Sequence, residues 1–123
     1  MKNKIELGTS SENTWCPGCP NHMILAATKQ TVTKLIESKK YKQTDFAITT
    51  DIGCHAKIFD YLNLSGIYCL HGRALPTGIG IKLGNPMLKV LTFVGDGAMY
   101  SEGMAHFIHA FKHNADLTLV LHD

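Results

Sequence analysis

The run Leu88-Lys89-Val90-Leu91-Thr92-Phe93-Val94, leading straight into Gly95-Asp96-Gly97, constrains the fold more than any other stretch. A short, nearly continuous apolar run bounded by turn residues reads as a buried strand. Strands of this kind, apolar on both sides, belong to parallel sheets covered by helices on both faces. The rest of the chain has the matching pattern. Phe46-Ala47-Ile48-Thr49-Thr50, Gly66-Ile67-Tyr68-Cys69-Leu70 and Leu117-Thr118-Leu119-Val120-Leu121 read as further strands. Between them lie helical segments. Asn21 to Ser38 carries Ile24, Ala27, Thr28, Thr31, Val32 and Leu35 at spacings of three and four, one stripe of a helix. Ala56 to Leu62 reads as one or two helical turns. Pro76 to Leu83 reads as a helix stopped by Gly84-Asn85-Pro86. Ser101 is the expected N-cap of a helix running to about His113, with Met104, Phe107, Ile108 and Phe111 as its core stripe. The predicted fold is α/β, a parallel sheet with helices on both faces.

Composition narrows the function. Apolar residues are 45% and charged residues 18% of 123, which excludes intrinsic disorder. No apolar run is long enough to span a membrane, and Met1-Lys2-Asn3-Lys4 is followed by no apolar stretch of a secretory signal. The net charge of +2, from 12 basic and 10 acidic residues, is too balanced to favour nucleic acid or an anionic membrane as partner. The expectation is a cytoplasmic protein whose cysteines are thiols.

In open parallel sheets ligands bind beyond the carboxyl ends of the strands. Three strand exits are candidates: Asp51-Ile52-Gly53-Cys54, His71-Gly72-Arg73 and Gly95-Asp96-Gly97. At the last, glycines let backbone N–H groups approach a phosphate, and Asp96 can hold a hard divalent cation. An ordinary tight turn gives the same tripeptide. Arg73, a cation beside a glycine, suits an anionic ligand, or is simply a surface residue, as is Lys57. Cys16-Pro17-Gly18-Cys19 has the spacing of a metal or iron–sulfur site, or of a redox dithiol. A redox dithiol would follow a first strand, and none precedes this pair. Cys54, at a strand exit, is the better additional ligand. Cys69 sits within an apolar strand, where buried thiols are common. His106, His109 and His113 share a helical face, which is either a metal stripe or a solvated or subunit-facing surface. Gly78, Gly80 and Gly84 stand too far from a strand exit for a dinucleotide fingerprint, and close helix packing explains them better.

Taken together, Trp15-Cys16-Pro17-Gly18-Cys19, Thr50-Asp51-Ile52-Gly53-Cys54, His71-Gly72-Arg73-Ala74-Leu75-Pro76 and Gly95-Asp96-Gly97 resemble the β subunit of 2-oxoacid:ferredoxin oxidoreductases, the pyruvate type most of all. The resemblance runs from Trp15 to the last residue. It implies an α/β diphosphate-binding domain of thiamine diphosphate enzymes over 15–123, after an irregular segment over 1–14. It further implies that Asp96 is a Mg²⁺ ligand and that Gly95 and Gly97 flank the diphosphate. Ile52, Gly53, Cys54, His71, Gly72 and Arg73 match cofactor-proximal positions. Cys16, Cys19 and Cys54 match three ligands of a 4Fe-4S cluster, and Lys57 matches a lysine near the substrate carboxylate in some members.

The reaction so implied is oxidative decarboxylation of a 2-oxoacid to an acyl-coenzyme A. Electrons would leave through the cluster to ferredoxin, and an α subunit would complete the thiamine site. Pro20 and Ala98 depart from the family pattern without removing a ligand. The family's fourth cluster cysteine and the asparagine of its metal motif are expected beyond Asp123, so the chain is read as the N-terminal part of such a subunit. Two other classes remain: a non-redox thiamine diphosphate subunit, which needs no cysteines of this kind, and a non-catalytic metal- or nucleotide-binding module.

Overall fold

A computed structural model describes residues 5–123. Four parallel strands, β1 (Phe46–Thr50), β2 (Ser65–Tyr68), β3 (Lys89–Gly95) and β4 (Thr118–His122), form one sheet in the order β2-β1-β3-β4. Five α-helices connect and cover them: α1 (Asn21–Glu37), α2 (Ile58–Tyr61), α3 (Ala74–Gly84), α4 (Asp96–Tyr100) and α5 (Met104–Lys112). The chain steps outward from β1 to β2 on one side, then crosses to β3 and on to β4 on the other. The direction reverses between β1 and β3, which makes their carboxyl ends the ligand-binding position of such sheets. The expected fold class is the observed one.

Residues of β1, β3 and β4 feed two apolar layers. Ile48 and Phe93 pack with Trp15, Leu25, Ile58 and Tyr61 on the α1–α2 side. Phe46 joins Val32 and Leu7 there. Val94 packs with Leu75 and Met99 on the α3–α5 side, backed by Leu119 and Leu121. On that side Gly78 lets α3 close on the sheet: a Cβ there would sit 2.5 Å from Thr92 Oγ1 and 3.2 Å from Thr49 Oγ1. These two hydroxyls hydrogen-bond each other at 2.8 Å, satisfying two buried polar groups with one bond. The close-packing reading of the glycines therefore holds for Gly78; a Cβ at Gly80 or Gly84 would meet nothing.

Of the segment over 1–14, residues 1–4 lie outside the described residues. Leu7 is buried and Gly8 makes an antiparallel bridge to Leu62.

The structure corrects several sequence expectations. The strand expected over Gly66–Leu70 is β2, an edge strand with all four residues exposed. α3 begins at Ala74, two residues before Pro76, which still falls in the first turn where its missing N–H costs nothing. The helix expected from Ser101 to about His113 begins only at Met104, as α5, and a separate short helix, α4, precedes Ser101. Ser101 closes α4 rather than opening α5, donating its hydroxyl to the Gly97 carbonyl, and Gly103 precedes α5. Gly103 comes so close to Met99 and to the Ala98 carbonyl that no side chain fits, which is where the chain bends. The supposed core stripe of α5 is largely uncovered: Ile108 is 59% and Phe111 70% exposed, and Phe107 is the stripe residue that packs on the core. On the opposite face the His109 and His113 rings stack at 6.1 Å.

Candidate functional site at the switch point

The β1 and β3 exits open into one cavity of about 340 Å³. Its lining includes Ile52, Gly53, Cys54 and His55 after β1, Gly95, Asp96, Gly97 and Ala98 after β3, and Cys19, His71 and His122. Eight of the residues singled out from sequence thus meet around one space: Cys19, Ile52, Gly53, Cys54, His71, Gly95, Asp96 and Gly97. Asp96 is the first residue of α4 and exposed. A Cβ at Gly97 would meet nothing, so the backbone there is open to a ligand's approach.

Gly95 has a packing role that its motif did not suggest. A Cβ on Gly95 would lie 2.8 Å from His55 Cε1, and one on Gly53 would lie 2.9 Å from His55 Nδ1. The two glycines make room for an imidazole. Gly53 also has φ +142°, a conformation that L side chains rarely adopt. His55, buried between them, pairs through Nε2 with Asp51 Oδ1 at 2.5 Å, and Asp51 is fully buried. Sequence reasoning missed His55 and Asp51 as a unit. The signals available were their i, i+4 spacing across a strand exit and the paired glycines.

His122, the last residue of β4, lies in register with Gly95. Its ring packs 5.3 Å from that of His55 and 6.0 Å from Phe93. Nδ1 hydrogen-bonds Asn21 Oδ1 at 2.7 Å, joining β4 to the start of α1. Burial pushes its pKa down to about 4, with His55 adding to the shift and Asp51 opposing it. Three buried polar atoms among the described residues have no partner: Thr50 Oγ1, Asp51 Oδ2 and His122 Nε2. Of the three residues, His122 lines the cavity, where a ligand or water can satisfy its free nitrogen.

The cysteines sort by exposure. Cys16 and Cys54 are exposed, Cys19 is half-buried, and Cys69 is buried with its thiol pushed up by desolvation. Trp15 ties the Cys16–Cys19 turn to the β1 exit: its indole N–H donates to the Cys54 carbonyl at 2.5 Å, and its ring meets Tyr61 edge-on at 4.9 Å. Cys19 and Cys54 line the same cavity. As arranged, no three His, Cys, Asp or Glu side chains among the described residues form a metal-holding set. That includes the histidine stripe of α5. The donor chemistry nevertheless fits the two groups implied: soft, accessible thiols for an iron–sulfur cluster, and an exposed carboxylate beside open backbone for Mg²⁺ and a diphosphate.

Four expected site residues stand apart from the cavity lining: Cys16, Lys57, Gly72 and Arg73. Lys57 Nζ donates to Thr14 Oγ1 at 2.7 Å. Arg73 donates to the carbonyls of Gly72 and Glu102, at 3.2 and 2.8 Å, so its fork holds the β2 exit to the bend between α4 and α5. Gly72, at φ +70°, is pressed against the same bend, where a Cβ would lie 2.8 Å from the Gly103 nitrogen. His71 reinforces the junction through Glu102, 2.9 Å away. The Ser101 hydroxyl, with the backbone and His71, holds the Glu102 carboxyl below the usual range.

Residues 51–123 match the family model of the thiamine pyrophosphate enzyme C-terminal, TPP-binding domain. The chain belongs to this thiamine pyrophosphate enzyme family. The match begins at the buried Asp51 and takes in the β1 and β3 exits together. Among curated relatives, the 2-oxoacid:ferredoxin oxidoreductase subunit beta of Saccharolobus solfataricus is 43% identical over 114 residues, 90% of this chain and 36% of the relative. The 2-oxoglutarate synthase subunit KorB of Archaeoglobus fulgidus is 41% identical over 107 residues, 87% of this chain and 38% of the relative. A solved structure of the 2-oxoglutarate:ferredoxin oxidoreductase from Magnetococcus marinus, with 2-oxoglutarate, coenzyme A and succinyl-CoA bound, superimposes with a TM-score of 0.89 at 29% identity. It covers 98% of this chain and 41% of that chain. The chain is thus similar in sequence to β subunits of 2-oxoacid:ferredoxin oxidoreductases and in fold to a 2-oxoglutarate:ferredoxin oxidoreductase. The chain spans somewhat over a third of the length of these curated relatives. No helix among the described residues is long and apolar enough to cross a membrane.

Proposed function

We propose that this chain forms the diphosphate-binding part of the β subunit of a thiamine diphosphate-dependent 2-oxoacid:ferredoxin oxidoreductase. The observation that carries the reading is the convergence of two chemically different donor sets on one cavity at the switch point. Asp96 and Gly97 stand at the β3 exit, and Cys19 and Cys54 stand beside the β1 exit. A non-redox thiamine enzyme needs the first set and has no use for the second.

Asp96 would hold Mg²⁺, and the open backbone at Gly97 would admit the diphosphate. Cys16, Cys19 and Cys54 would hold a 4Fe-4S cluster, with Trp15 keeping their two segments together. Bound thiamine diphosphate supplies the electron sink for decarboxylation of the 2-oxoacid. Ile52 and Gly53, just after β1, line the same cavity as both donor sets. Lys57 and Arg73 lie outside the cavity lining. Lys57 bonds Thr14, and Arg73 joins the β2 exit to the α4–α5 bend.

The partners of the reading are an α subunit completing the thiamine site, ferredoxin, coenzyme A and a 2-oxoacid, in a cytoplasmic enzyme. Relatives named for 2-oxoglutarate stand beside those named for 2-oxoacids generally, so pyruvate and 2-oxoglutarate are the substrates to compare. The test is anaerobic purification of the complete complex. Coenzyme A-dependent reduction of ferredoxin by either 2-oxoacid, with about four irons in each β subunit, is the expected result. A colourless complex that decarboxylates without reducing ferredoxin would refute the redox assignment.

A further inference from the structure

The geometry points to His122 as a positioning residue for the cation of this site: its Nε2 accepts a hydrogen bond from a water molecule coordinated to the Mg²⁺ held by Asp96. This inference rests on the thiamine diphosphate reading above and adds a residue to it.

Four observations carry it. His122 Nε2 is a buried polar atom without a partner, in a residue only 6% exposed that lines the cavity. The ring cannot turn freely to find another partner, because His55 and Phe93 pack against it. The other nitrogen is committed: Asn21 Oδ1 is an acceptor, so the bond from Nδ1 places the ring proton there and leaves Nε2 as a lone pair. Finally, His122 pairs in register with Gly95, the residue immediately before Asp96, and both Asp96 and His122 line the same space.

The acceptor is therefore preset and needs a donor. A phosphate oxygen and a carboxylate cannot serve, since both are acceptors. Mg²⁺ dehydrates reluctantly and keeps several waters when held by one or two carboxylates and a phosphate group. Those waters are strong donors. Groups that orient such a coordination shell commonly govern metal affinity by about 10–100-fold. The neutral ring that this role requires agrees with the low pKa that burial imposes on His122.

The test uses the complete assembled enzyme, with Mg²⁺ titrated calorimetrically in excess thiamine diphosphate. His122→Phe keeps a ring and removes the acceptor. His122→Gln keeps an acceptor at a similar reach. Mg²⁺ affinity should fall about 10–100-fold in His122→Phe and stay within about threefold of wild type in His122→Gln. With Mn²⁺ in place of Mg²⁺, water-proton relaxation should show faster exchange of bound water in the Phe variant alone. Unchanged Mg²⁺ affinity in His122→Phe overturns the inference. So does equal weakening in both variants, since that marks a packing effect. If His122→Phe shows no cooperative thermal transition, Asn21→Ala decides instead. That variant unties the ring without altering the core, and an unchanged Mg²⁺ affinity there overturns the inference. A wild-type complex that binds no thiamine diphosphate in Mg²⁺ refutes the reading of the site itself.

Discussion

The Gly95→Ala substitution separates two explanations of the glycine at the β3 exit. If Gly95 serves ligand approach, alanine leaves the stability of the ligand-free protein unchanged, since φ is −88° at this position and suits any residue. The packing says otherwise. A methyl at Gly95 would stand 2.8 Å from Cε1 and 3.0 Å from Nδ1 of His55. The ring is confined by Gly53 on one side and bonded to Asp51 at 2.5 Å, so it can yield only by breaking that bond. Overpacking a closed core costs about 1–3 kcal/mol, and stranding a buried polar partner costs about 1–3 kcal/mol more. Gly95→Ala should therefore lower the unfolding free energy by about 2–6 kcal/mol. Urea unfolding followed by circular dichroism measures it. His55→Ala vacates the space and already strands Asp51, so the double variant should cost no more than His55→Ala alone, to within about 0.5 kcal/mol. Gly97→Ala, whose methyl meets open space, should leave stability within about 0.5 kcal/mol of wild type. Equal costs of Gly95→Ala with and without His55 would refute the reasoning.

Three further outcomes are expected. In the complete anaerobic complex, Cys16→Ser, Cys19→Ser and Cys54→Ser should each lose iron, while Cys69→Ser, at a buried thiol, should retain it; iron loss from Cys69→Ser equal to that from Cys54→Ser refutes the set. Asp96→Ala should weaken thiamine diphosphate binding on the order of 100-fold, about 2.7 kcal/mol, and calorimetry showing unchanged Mg²⁺-dependent affinity refutes the cation role. The His122 pKa, about 4 in the folded chain against an ordinary 6.5, means the unfolded chain binds the extra proton across that interval. The contribution is fully present above about pH 6.5 and is lost as pH falls towards 4. The stability gap between wild type and His122→Gln should change by on the order of 2 kcal/mol over that range, and a pH-independent gap refutes the shift.

The central strands were legible because burial on both faces leaves a chemical record. Phe46–Thr50 is buried at every position, and β3 carries the same apolar run. β2 was harder to read: Ile67 and Tyr68 look like core residues, but at the sheet edge they are about half exposed. The break between α4 and α5 was hidden because its contacts appear only in the folded chain. Gly103 there packs on Met99 and the Ala98 carbonyl nearby and also on Gly72, far away in the chain. The fate of Arg73 was equally illegible: a guanidinium suits an anion or a carbonyl, and the Glu102 carbonyl comes into reach only through that bend. The exposed face of α5, with Ile108 and Phe111, obeyed the helical period without covering a core, since periodicity marks an apolar stripe and not what it meets.

The switch point concentrates two kinds of demand, and its glycines divide between them. Gly97 keeps backbone accessible from outside. Gly53 and Gly95 give up their side-chain volume inward, to a histidine that pairs with a buried carboxyl. Gly-Asp-Gly therefore looks like one motif in sequence and acts as two positions in space, one open to the cavity and one facing the His55 ring. The consequence is a coupling across three chain segments. The residue at 55 decides what positions 53 and 95 tolerate, and His122, packed on the same ring, shares in that decision. With a smaller residue at 55, alanine at 95 loses its steric cost. Gly53 stays constrained even then, because its φ of +142° excludes a side chain whatever the space around it.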